Sequence, residues 1–304
     1  MSPNPLNLFD SIQVSNFRSL VDIDVSLKPL TVLFGENGAG TTSLLDVWSL
    51  LSAATCGELS HAVENFGGIS ELLTHQFTQS DSTTDELSVM VTMSHAGEEP
   101  LLYEIALQRD RESFWISKER LIQRDSRILM NFLEPVHLSV GPFMSRDNTI
   151  AKLGCFVAVD EQPQLFTARL KAAVHMATID VSHNSPVRLP QQALSVISPG
   201  THGESLASFL YLLRENHADR FEMLSDILHD TFADFEQLDF SINTAGDILL
   251  LWKNSHFRQP ISLQALPGGS LRFLWWAAIL LNPNLPDFLL IDEPELSLHP
   301  RLLM

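Results

Sequence analysis

The sequence has little cysteine and no long apolar run, and each shortage excludes a class of protein. Only two of the 304 residues are cysteines, Cys56 and Cys155. Two cysteines are too few for a disulfide scaffold, and their wide spacing does not suit a zinc site. No apolar run reaches the roughly 20 residues that a membrane-spanning helix needs. Without a secretory signal pattern either, the chain is expected to be cytoplasmic.

Basic residues are also scarce, which bears on nucleic-acid binding. The chain has 19 Lys and Arg against 37 Asp and Glu, a net charge of −18. This sign opposes non-specific binding to nucleic acid, because basic side chains must neutralise the phosphates. The notable basic cluster consists of Lys118, Arg120, Arg124 and Arg127. On a helix its arginines would share a face that could touch DNA, and the alternative is a solvated face paired with Glu119.

A glycine-rich loop is the most specific motif that the sequence contains. It fits the phosphate-binding pattern G-x-x-x-x-G-K-[ST] at every defined position except the lysine. Glycines allow the positive φ angles that turn backbone N–H groups toward a phosphate, and a following helix adds partial positive charge. The Thr42 hydroxyl would ligate magnesium, whereas Thr41 stands in place of the lysine. The loop reads Gly35-Glu36-Asn37-Gly38-Ala39-Gly40-Thr41-Thr42-Ser43.

The segments on either side of the loop have the order expected around a phosphate site. Leu30–Phe34 is a short apolar run that predicts a strand buried in a parallel sheet. Ser43–Leu51 has helical spacing of its apolar residues and predicts a helix. The alternative is a glycine-rich turn that matches by chance, and the two motifs described next argue against it.

An apolar run near the other end of the sequence leads into two adjacent carboxylates. The run Pro286–Ile291 is followed by Asp292 and Glu293, which predicts a Walker B strand. Asp292 would hold magnesium through water, and Glu293 would polarise the attacking water as a general base. The alternative is a strand that ends in a solvated acidic turn.

A glycine pair precedes the acidic strand and opens a helix. Gly268 and Gly269 follow Pro267. A little further on, Phe273–Leu281 is a run of residues that is apolar on all sides. This pattern predicts a buried helix. A glycine pair at its start would present free N–H groups.

In combination these segments resemble the ABC-type ATPases of the RecF, SMC and OLD-like group, which includes compact bacterial "AAA family ATPases". Leu266–Arg272 resembles the signature L-S-[GD]-G-x-x-R, and Ile12–Leu20 resembles the opening strand with its N-F-[KR]-S turn. Thr201–Leu210 and Phe232–Leu238 resemble two further segments of the group. The resemblance implies an α/β P-loop NTPase fold of ABC-ATPase type. It has a mixed central sheet, an N-terminal β-rich subdomain and an inserted helical lobe.

The resemblance also implies ligands and partners. ATP and Mg²⁺ would be the cofactors, and Gly268 and Gly269 of one subunit would close over the ATP of another, forming a homodimer. Arg18 would lie near the nucleotide, and its alternative is a surface arginine at a strand end. Gln76 falls where the group places its Q-loop, and its alternative is an ordinary loop residue. Relatives that engage DNA do so as dimers or with an attached nuclease, so a nuclease-like effector in trans is a further partner.

The same patterns divide the chain into three regions of one composite domain. Residues 1–145 would form the N-terminal part of the ATPase lobe, 146–240 a mainly helical lobe, and 241–304 the part with signature and Walker B. Alternating residues predict strands over 20–27, 87–94, 101–108 and 247–253. Helical spacing predicts helices over 166–176 and 205–216, with a break over 186–192.

Three departures from the group concern the γ-phosphate. Thr41 removes a cation, and Pro267 replaces the signature serine. Every histidine lies before position 300, so none can be the switch histidine, which should follow a later strand. We therefore expect a C-terminally truncated or degenerate ATPase that binds ATP-Mg weakly and hydrolyses it poorly. The alternatives are a catalytically inactive structural or regulatory subunit that binds a partner protein, and a non-functional fragment.

Overall fold

The computed structural model describes residues 9–74, 85–94, 99–111, 113–123, 128–132, 161–176, 178–192 and 195–296. The chain divides into two compact units. Unit 1 consists of Met1–His175 and Asp287–Leu290, and unit 2 consists of Met176–Pro286 and Ile291–Met304. Gln76, Arg124 and Arg127 lie outside the described residues. The division predicted at residues 145 and 240 stays a prediction.

Unit 1 contains a six-stranded sheet of antiparallel pairs in the order β2-β1-β3-β4-β5-β6. Along β3 buried apolar residues alternate with half-buried residues that are polar except for Met90, as expected of a strand with one face on the core. The strands predicted over residues 20–27, 87–94 and 101–108 are confirmed as β2, β3 and β4. The strands are β1 Ser11–Phe17, β2 Leu20–Ser26, β3 Glu86–Met93, β4 Leu101–Asp110, β5 Ser113–Gln123 and β6 Ile128–Phe132.

The helices of unit 1 pack on an aromatic core. Trp48 of α1 lies 4.9 Å from Phe9 and 4.7 Å from Phe288, measured between ring centroids. Phe166 of α4 lies 5.4 Å from Tyr103 of the sheet. This core fixes α1, the predicted helix that follows the glycine loop. The helices are α1 Thr41–Thr55, α2 Leu59–Asn65, α3 Ile69–Leu72 and α4 Glu161–Lys171.

The strand predicted over Leu30–Phe34 is wrong. These residues form no strand, and Leu30, Val32 and Phe34 are 82%, 72% and 93% exposed. A buried parallel strand needs hydrogen-bonded neighbours and cover on both faces. No strand within the described ranges pairs with this run, so its apolar composition alone does not make it a strand.

The predicted helix over residues 166–176 is only partly confirmed. Helix α4 ends at Lys171, and β7 follows at Ala173–Met176, where it pairs with β12, Phe288–Ile291. Pairing with a strand far along the chain overrides the local helical spacing, a context effect that short apolar segments often show. Strand β12 confirms the strand predicted before Asp292.

The described part of the basic cluster, Lys118 and Arg120, does not lie on a helix. Lys118 and Arg120 belong to β5, and both form ion pairs with Glu104 on β4. Because neighbouring residues of a strand point to opposite faces, Glu119 is separated from them and is buried, accepting a hydrogen bond from the Tyr103 hydroxyl at 3.1 Å. Lys118 and Arg120 therefore pair with Glu104 rather than with Glu119, and the expected pairing of Glu119 with Arg124 and Arg127 lies outside the described residues.

Unit 2 packs helices on a small antiparallel sheet in which β10 pairs with β8, β9 and β11. Helix α7 is buried over most of its length, and the indole N–H of Trp275 donates to the Gly200 carbonyl at 3.0 Å. Within the described residues, no helix has both the length and the apolarity to cross a membrane. The elements are β8 Gln191–Gln192, α5 Leu206–Asn216, α6 Ala218–Thr231, β9 Phe235–Ile242, β10 Asp247–Asn254, β11 Ile261–Ser262 and α7 Gly268–Leu280.

Four further predictions for unit 2 are confirmed. The helix predicted over 205–216 is α5, and the strand predicted over 247–253 is β10. The predicted break at Pro186 contains a 3₁₀ turn, Pro186–Arg188. The predicted buried helix is α7, and the glycine pair opens it as predicted.

Candidate functional site

The glycine loop of unit 1 is exposed and ends at the start of α1. Gly38 and Gly40 have φ angles of +87° and +101°, which disfavour any residue with a Cβ atom. Gly40 is the N-cap of α1, and no side chain accepts a hydrogen bond from the first turn. Since the first amides of a helix have no acceptor within the helix, those of Thr41, Thr42 and Ser43 are placed to bind an anion.

The hairpin turn between β1 and β2 packs against the end of this loop. A Cβ atom at Gly40 would lie 2.5 Å from Leu20 Cδ2 and 2.8 Å from Ser19 Oγ. The hydroxyl oxygens of Ser19 and Ser43 are 3.4 Å apart. The turn therefore supports the loop where it enters α1, which the sequence patterns did not indicate.

Arg18 in the same turn is anchored to α1. It has a φ angle of +47°, and its guanidinium forms an ion pair with Asp46. The guanidinium also lies over the Phe66 ring, 5.0 Å from the centroid. Its backbone N–H donates to the Leu72 carbonyl at 2.7 Å. The structure thus places a partly exposed cation beside the helix that follows the loop, with its charge matched by Asp46.

The donor set of the loop fits a phosphate ligand. Backbone amides at a helix N-terminus bind anions, and the exposed Thr42 side chain offers a hydroxyl for Mg²⁺. At Thr41 a neutral hydroxyl replaces the usual ammonium. In the described part of the chain, no group of three or more His, Cys, Asp or Glu side chains is placed to hold a metal.

The two carboxylates predicted after β12 form a tight turn in unit 2. The Asp292 N–H donates to the Met176 carbonyl at 3.1 Å, and the Leu296 N–H donates to the Glu293 carbonyl at 3.1 Å. Glu293 is exposed and has a φ angle of +46° although it precedes Pro294. A left-handed residue before proline is sterically disfavoured, and strain of this kind concentrates at functional sites.

The glycine pair of unit 2 forms the first turn of α7. Pro267 is the N-cap with a φ angle of −54°, and Gly268 and Gly269 are the first two helical residues. No side chain caps this end. A Cβ atom at Gly268 would lie 2.9 Å from Val181 Cγ2, so the helix start is packed closely against its neighbour. The amides of this turn belong to a second helix N-terminus and could donate hydrogen bonds to an anion.

Arg272 joins α7 to the acidic turn within unit 2. Its Nε donates to the Ile179 carbonyl at 3.1 Å, and its Nη1 donates to the Leu296 carbonyl at 3.3 Å. The sequence pattern included Arg272 as the last residue of the signature-like segment but indicated no role for it. The only signal was its place in the x-x-R end of the signature pattern.

The sequence-predicted residues therefore fall into two groups. Unit 1 brings Arg18 beside the helix that begins at the loop Gly35–Ser43. In unit 2, Arg272 on the helix that the glycine pair opens donates to the Leu296 carbonyl, at the end of the turn that contains Asp292 and Glu293. Ser19, Asp46 and Arg272 are supporting residues that the sequence patterns did not identify.

Two comparisons with known proteins bear on this chain. Residues 160–304 match a family model described as "AAA domain, putative AbiEii toxin, Type IV TA system". The chain is also similar to a protein of Thermus scotoductus named OLD nuclease, with 50% identity over 48 residues. That similarity covers 13% of this chain and 9% of the Thermus protein.

These matches support an AAA- or ABC-like ATPase family, and the mixed α/β architecture is consistent with a P-loop NTPase. An AAA domain implies nucleotide binding, typically with Mg²⁺. The glycine loop lies before residues 160–304, the part of the chain that the family model matches.

Proposed function

We propose that the chain is an ATP-binding domain of ABC type that works as a dimeric nucleotide switch and hydrolyses ATP poorly. The observation that carries the proposal is the glycine loop that ends at the uncapped N-terminus of α1. Its left-handed glycines and its close support by Ser19 and Leu20 are features of a built phosphate cradle.

Within this proposal the loop residues hold the phosphates and magnesium. The amides from Gly40 to Ser43 face the phosphates, whereas the Ala39 amide donates to the Glu36 carbonyl at 2.9 Å. The Thr42 hydroxyl ligates Mg²⁺. Asp292 holds the magnesium through water, and Glu293 orients the attacking water as the catalytic base. Bound Mg²⁺ would neutralise charge on the phosphates during hydrolysis. The roles of Asp292 and Glu293 rest on the family resemblance.

Weak binding follows from the missing ammonium at Thr41. A charge-assisted hydrogen bond contributes about 1.5–3 kcal/mol, so its loss lowers ATP affinity by about one to two orders of magnitude. Arg18 is a nearby cation, but its ion pair with Asp46 already engages its charge. We assign Arg18 to the surroundings of the nucleotide rather than to the role of the lysine.

The dimeric switch would use the glycine pair of α7. Gly268 and Gly269 of one subunit would bind the γ-phosphate of ATP held by the loop of another. Pro267 at the serine position removes a hydroxyl from this contact, which weakens closure and turnover.

A role in anti-phage defence or DNA repair is the biological setting that we propose. It draws on the names of the related AbiEii toxin family and OLD nuclease. A nuclease-like effector protein in trans would then act on nucleic acid. Direct DNA binding by this chain is disfavoured, because its net charge is −18 and both Lys118 and Arg120 are paired with Glu104.

A second candidate function is a structural or regulatory subunit that binds a partner protein without nucleotide. The exposed apolar run Leu30–Phe34 favours it, because solvent-exposed apolar segments of this length are typical of interaction sites. The two functions differ in whether nucleotide is needed for association.

Titration calorimetry with ATP-Mg and with ATP in EDTA tests the proposed function. We expect binding with Mg²⁺, and Thr42→Ala should abolish the gain that Mg²⁺ gives while leaving weak binding of free ATP. Ser49→Ala on the same helix α1, outside the first turn, is the matched control and should bind like the unmodified chain. Absence of binding by the unmodified chain at millimolar ATP-Mg would reject the proposal in favour of the nucleotide-free subunit.

A further inference from the structure

Arg188 is a buried arginine whose guanidinium donates hydrogen bonds to several backbone carbonyls of unit 2. It ends the 3₁₀ turn Pro186–Arg188 and is 9% exposed. Its Nε donates to the Val181 carbonyl at 2.9 Å. Its Nη1 lies within hydrogen-bond distance of the Leu263, Gln264 and Leu266 carbonyls, at 3.2, 2.8 and 2.9 Å.

Burying a guanidinium costs free energy that packing alone does not recover. Removing a cation from water is unfavourable unless strong partners replace the water. Across the described ranges, no carboxylate forms an ion pair with Arg188, so carbonyls take that role. The planar fork of arginine suits this task, because it donates in several fixed directions at once.

The carbonyls that Arg188 binds flank the start of α7 on two sides. Leu263, Gln264 and Leu266 belong to the segment that leads directly into Pro267 and Gly268. Val181 is on the other side, and its Cγ2 occupies the space where a Cβ atom of Gly268 would have to lie. One side chain therefore fixes both the approach to the helix and the surface against which its first residue packs.

We propose that Arg188 is a positioning residue for the glycine pair: it holds the N-terminus of α7 so that the amides of Gly268 and Gly269 can bind the ATP of a second subunit. This inference rests on the proposed function for its purpose. Its structural half, control of the α7 start, can be tested without nucleotide. No sequence pattern pointed to Arg188, because its partners are carbonyls far along the chain.

Hydrogen exchange read by mass spectrometry tests the structural half. Arg188→Lys keeps a charge but loses the fork, and Arg188→Met keeps length without charge. We expect about tenfold faster exchange, or more, in residues 263–271 of both variants, with smaller change for lysine. Should Arg188→Met fail to fold, Arg188→Lys decides the result.

Arg220→Met is the matched control, because Arg220 Nη1 donates to the Leu281 carbonyl at 3.2 Å, at the other end of α7. It should speed exchange near residue 281 and leave residues 263–271 unchanged. Unchanged exchange at 263–271 in Arg188→Lys would overturn the inference. So would a uniform rise over all of unit 2, which indicates a general stabilising role.

ATP-dependent dimerisation, followed by analytical ultracentrifugation, tests the functional half. We expect Arg188→Lys to need at least tenfold more protein for dimerisation with ATP-Mg, while its monomer binds ATP-Mg like the unmodified chain. Equal dimerisation of the two proteins would overturn the functional half. If the unmodified chain itself does not dimerise, the dimeric switch fails, and the exchange result alone then decides whether Arg188 positions α7.

Discussion

At the residue scale, Thr41 decides how strongly the glycine loop can hold a polyphosphate. The backbone of the loop has the left-handed glycines and the uncapped helix start of a phosphate site. At the position of the usual cation it has a hydroxyl. Arg18 is held by Asp46, so no free side-chain charge is assigned to the phosphates. The loop therefore depends on amide dipoles, which bind an anion more weakly than amides and an ammonium together.

Restoring the ammonium should strengthen nucleotide binding. We predict that Thr41→Lys raises the affinity for ATP-Mg by about ten- to a hundredfold, measured by titration calorimetry. Without nucleotide the same variant should melt slightly lower, because a cation in the first turn opposes the helix dipole. Thr41→Met is the control for side-chain length and should show no gain. Equal affinities of Thr41→Lys and the unmodified chain would refute this account of Thr41.

The pKa of Asp180 tests the geometry of the segment whose carbonyls accept hydrogen bonds from Arg188 and Arg272. Hydrogen bonds from the Ser182 amide and hydroxyl, followed by the charges of Arg272 and Arg188, lower the pKa of Asp180 below its ordinary value of 3.8. A lowered pKa means that the folded state favours the carboxylate. Its contribution to stability is present above pH 3.8 and is lost as the pH falls through the lower, folded value.

Carboxyl-carbon NMR titration measures this directly. We predict that Asp180 titrates below 3.8 and that Ser182→Ala moves its midpoint upward. Asp239, whose pKa is lowered chiefly by Lys253, is the internal control and should not move with Ser182→Ala. A midpoint of Asp180 at or above 3.8 in the unmodified chain would contradict the geometry.

At the scale of elements, the glycine loop and α1 depend on close support from the turn between β1 and β2. Two glycines of the loop allow the cost of a left-handed backbone to be distinguished from the cost of a steric clash with the turn. Gly38 and Gly40 both have positive φ angles. A Cβ atom at Gly38 would meet nothing within 4 Å, whereas one at Gly40 would lie 2.5 Å from Leu20 Cδ2.

Alanine at these two positions should therefore have different costs. We predict that Gly38→Ala lowers the free energy of unfolding by about 1–2 kcal/mol, the cost of a left-handed residue with a Cβ atom. Gly40→Ala should cost about 1–3 kcal/mol more, because the added methyl group overlaps Leu20 and Ser19. Urea denaturation measures both. Equal losses would mean that the turn does not support the loop.

Helix α7 offers a matched pair of leucines. Leu274 is fully buried, and Leu280 on the same helix is 53% exposed. Leu274→Ala should lower the free energy of unfolding by about 2–5 kcal/mol, because it leaves a cavity. Leu280→Ala should change it by less than about 1 kcal/mol, since an exposed side chain contributes little burial. Similar losses in urea denaturation would show that Leu280 is covered in solution.

The elements also show how far the sequence could predict the fold and the site. Alternation of apolar residues predicted β3 and β4 because one face of each strand lies on the core, a purely local pattern. Leu30–Phe34 and Ala173–Met176 were mispredicted because their states depend on whether a distant strand pairs with them. The glycine loop and glycine pair were located from spacing alone, whereas Arg188 and Asp46 act through contacts that spacing does not encode.

At the scale of the molecule, the predicted ATP-binding residues are distributed over both compact units. The glycine loop belongs to unit 1, and the glycine pair and the acidic turn belong to unit 2. A nucleotide that binds only the folded loop should stabilise unit 1 by RT ln(1 + [L]/Kd), so the stability rises with the logarithm of the nucleotide concentration once the site is filled. Added nucleic acid should give no such stabilisation, because the net charge of −18 repels it.

The melting temperature with and without ATP-Mg tests the central claim most directly. At a nucleotide concentration about ten times the dissociation constant, binding adds about 1.4 kcal/mol, or a shift of about 2–4 °C. We predict such a shift with millimolar ATP-Mg, and its loss in Gly40→Ala measured under conditions where that variant is folded. A cooperative melt of the unmodified chain that does not move over the whole millimolar range of ATP-Mg would contradict nucleotide binding by this loop.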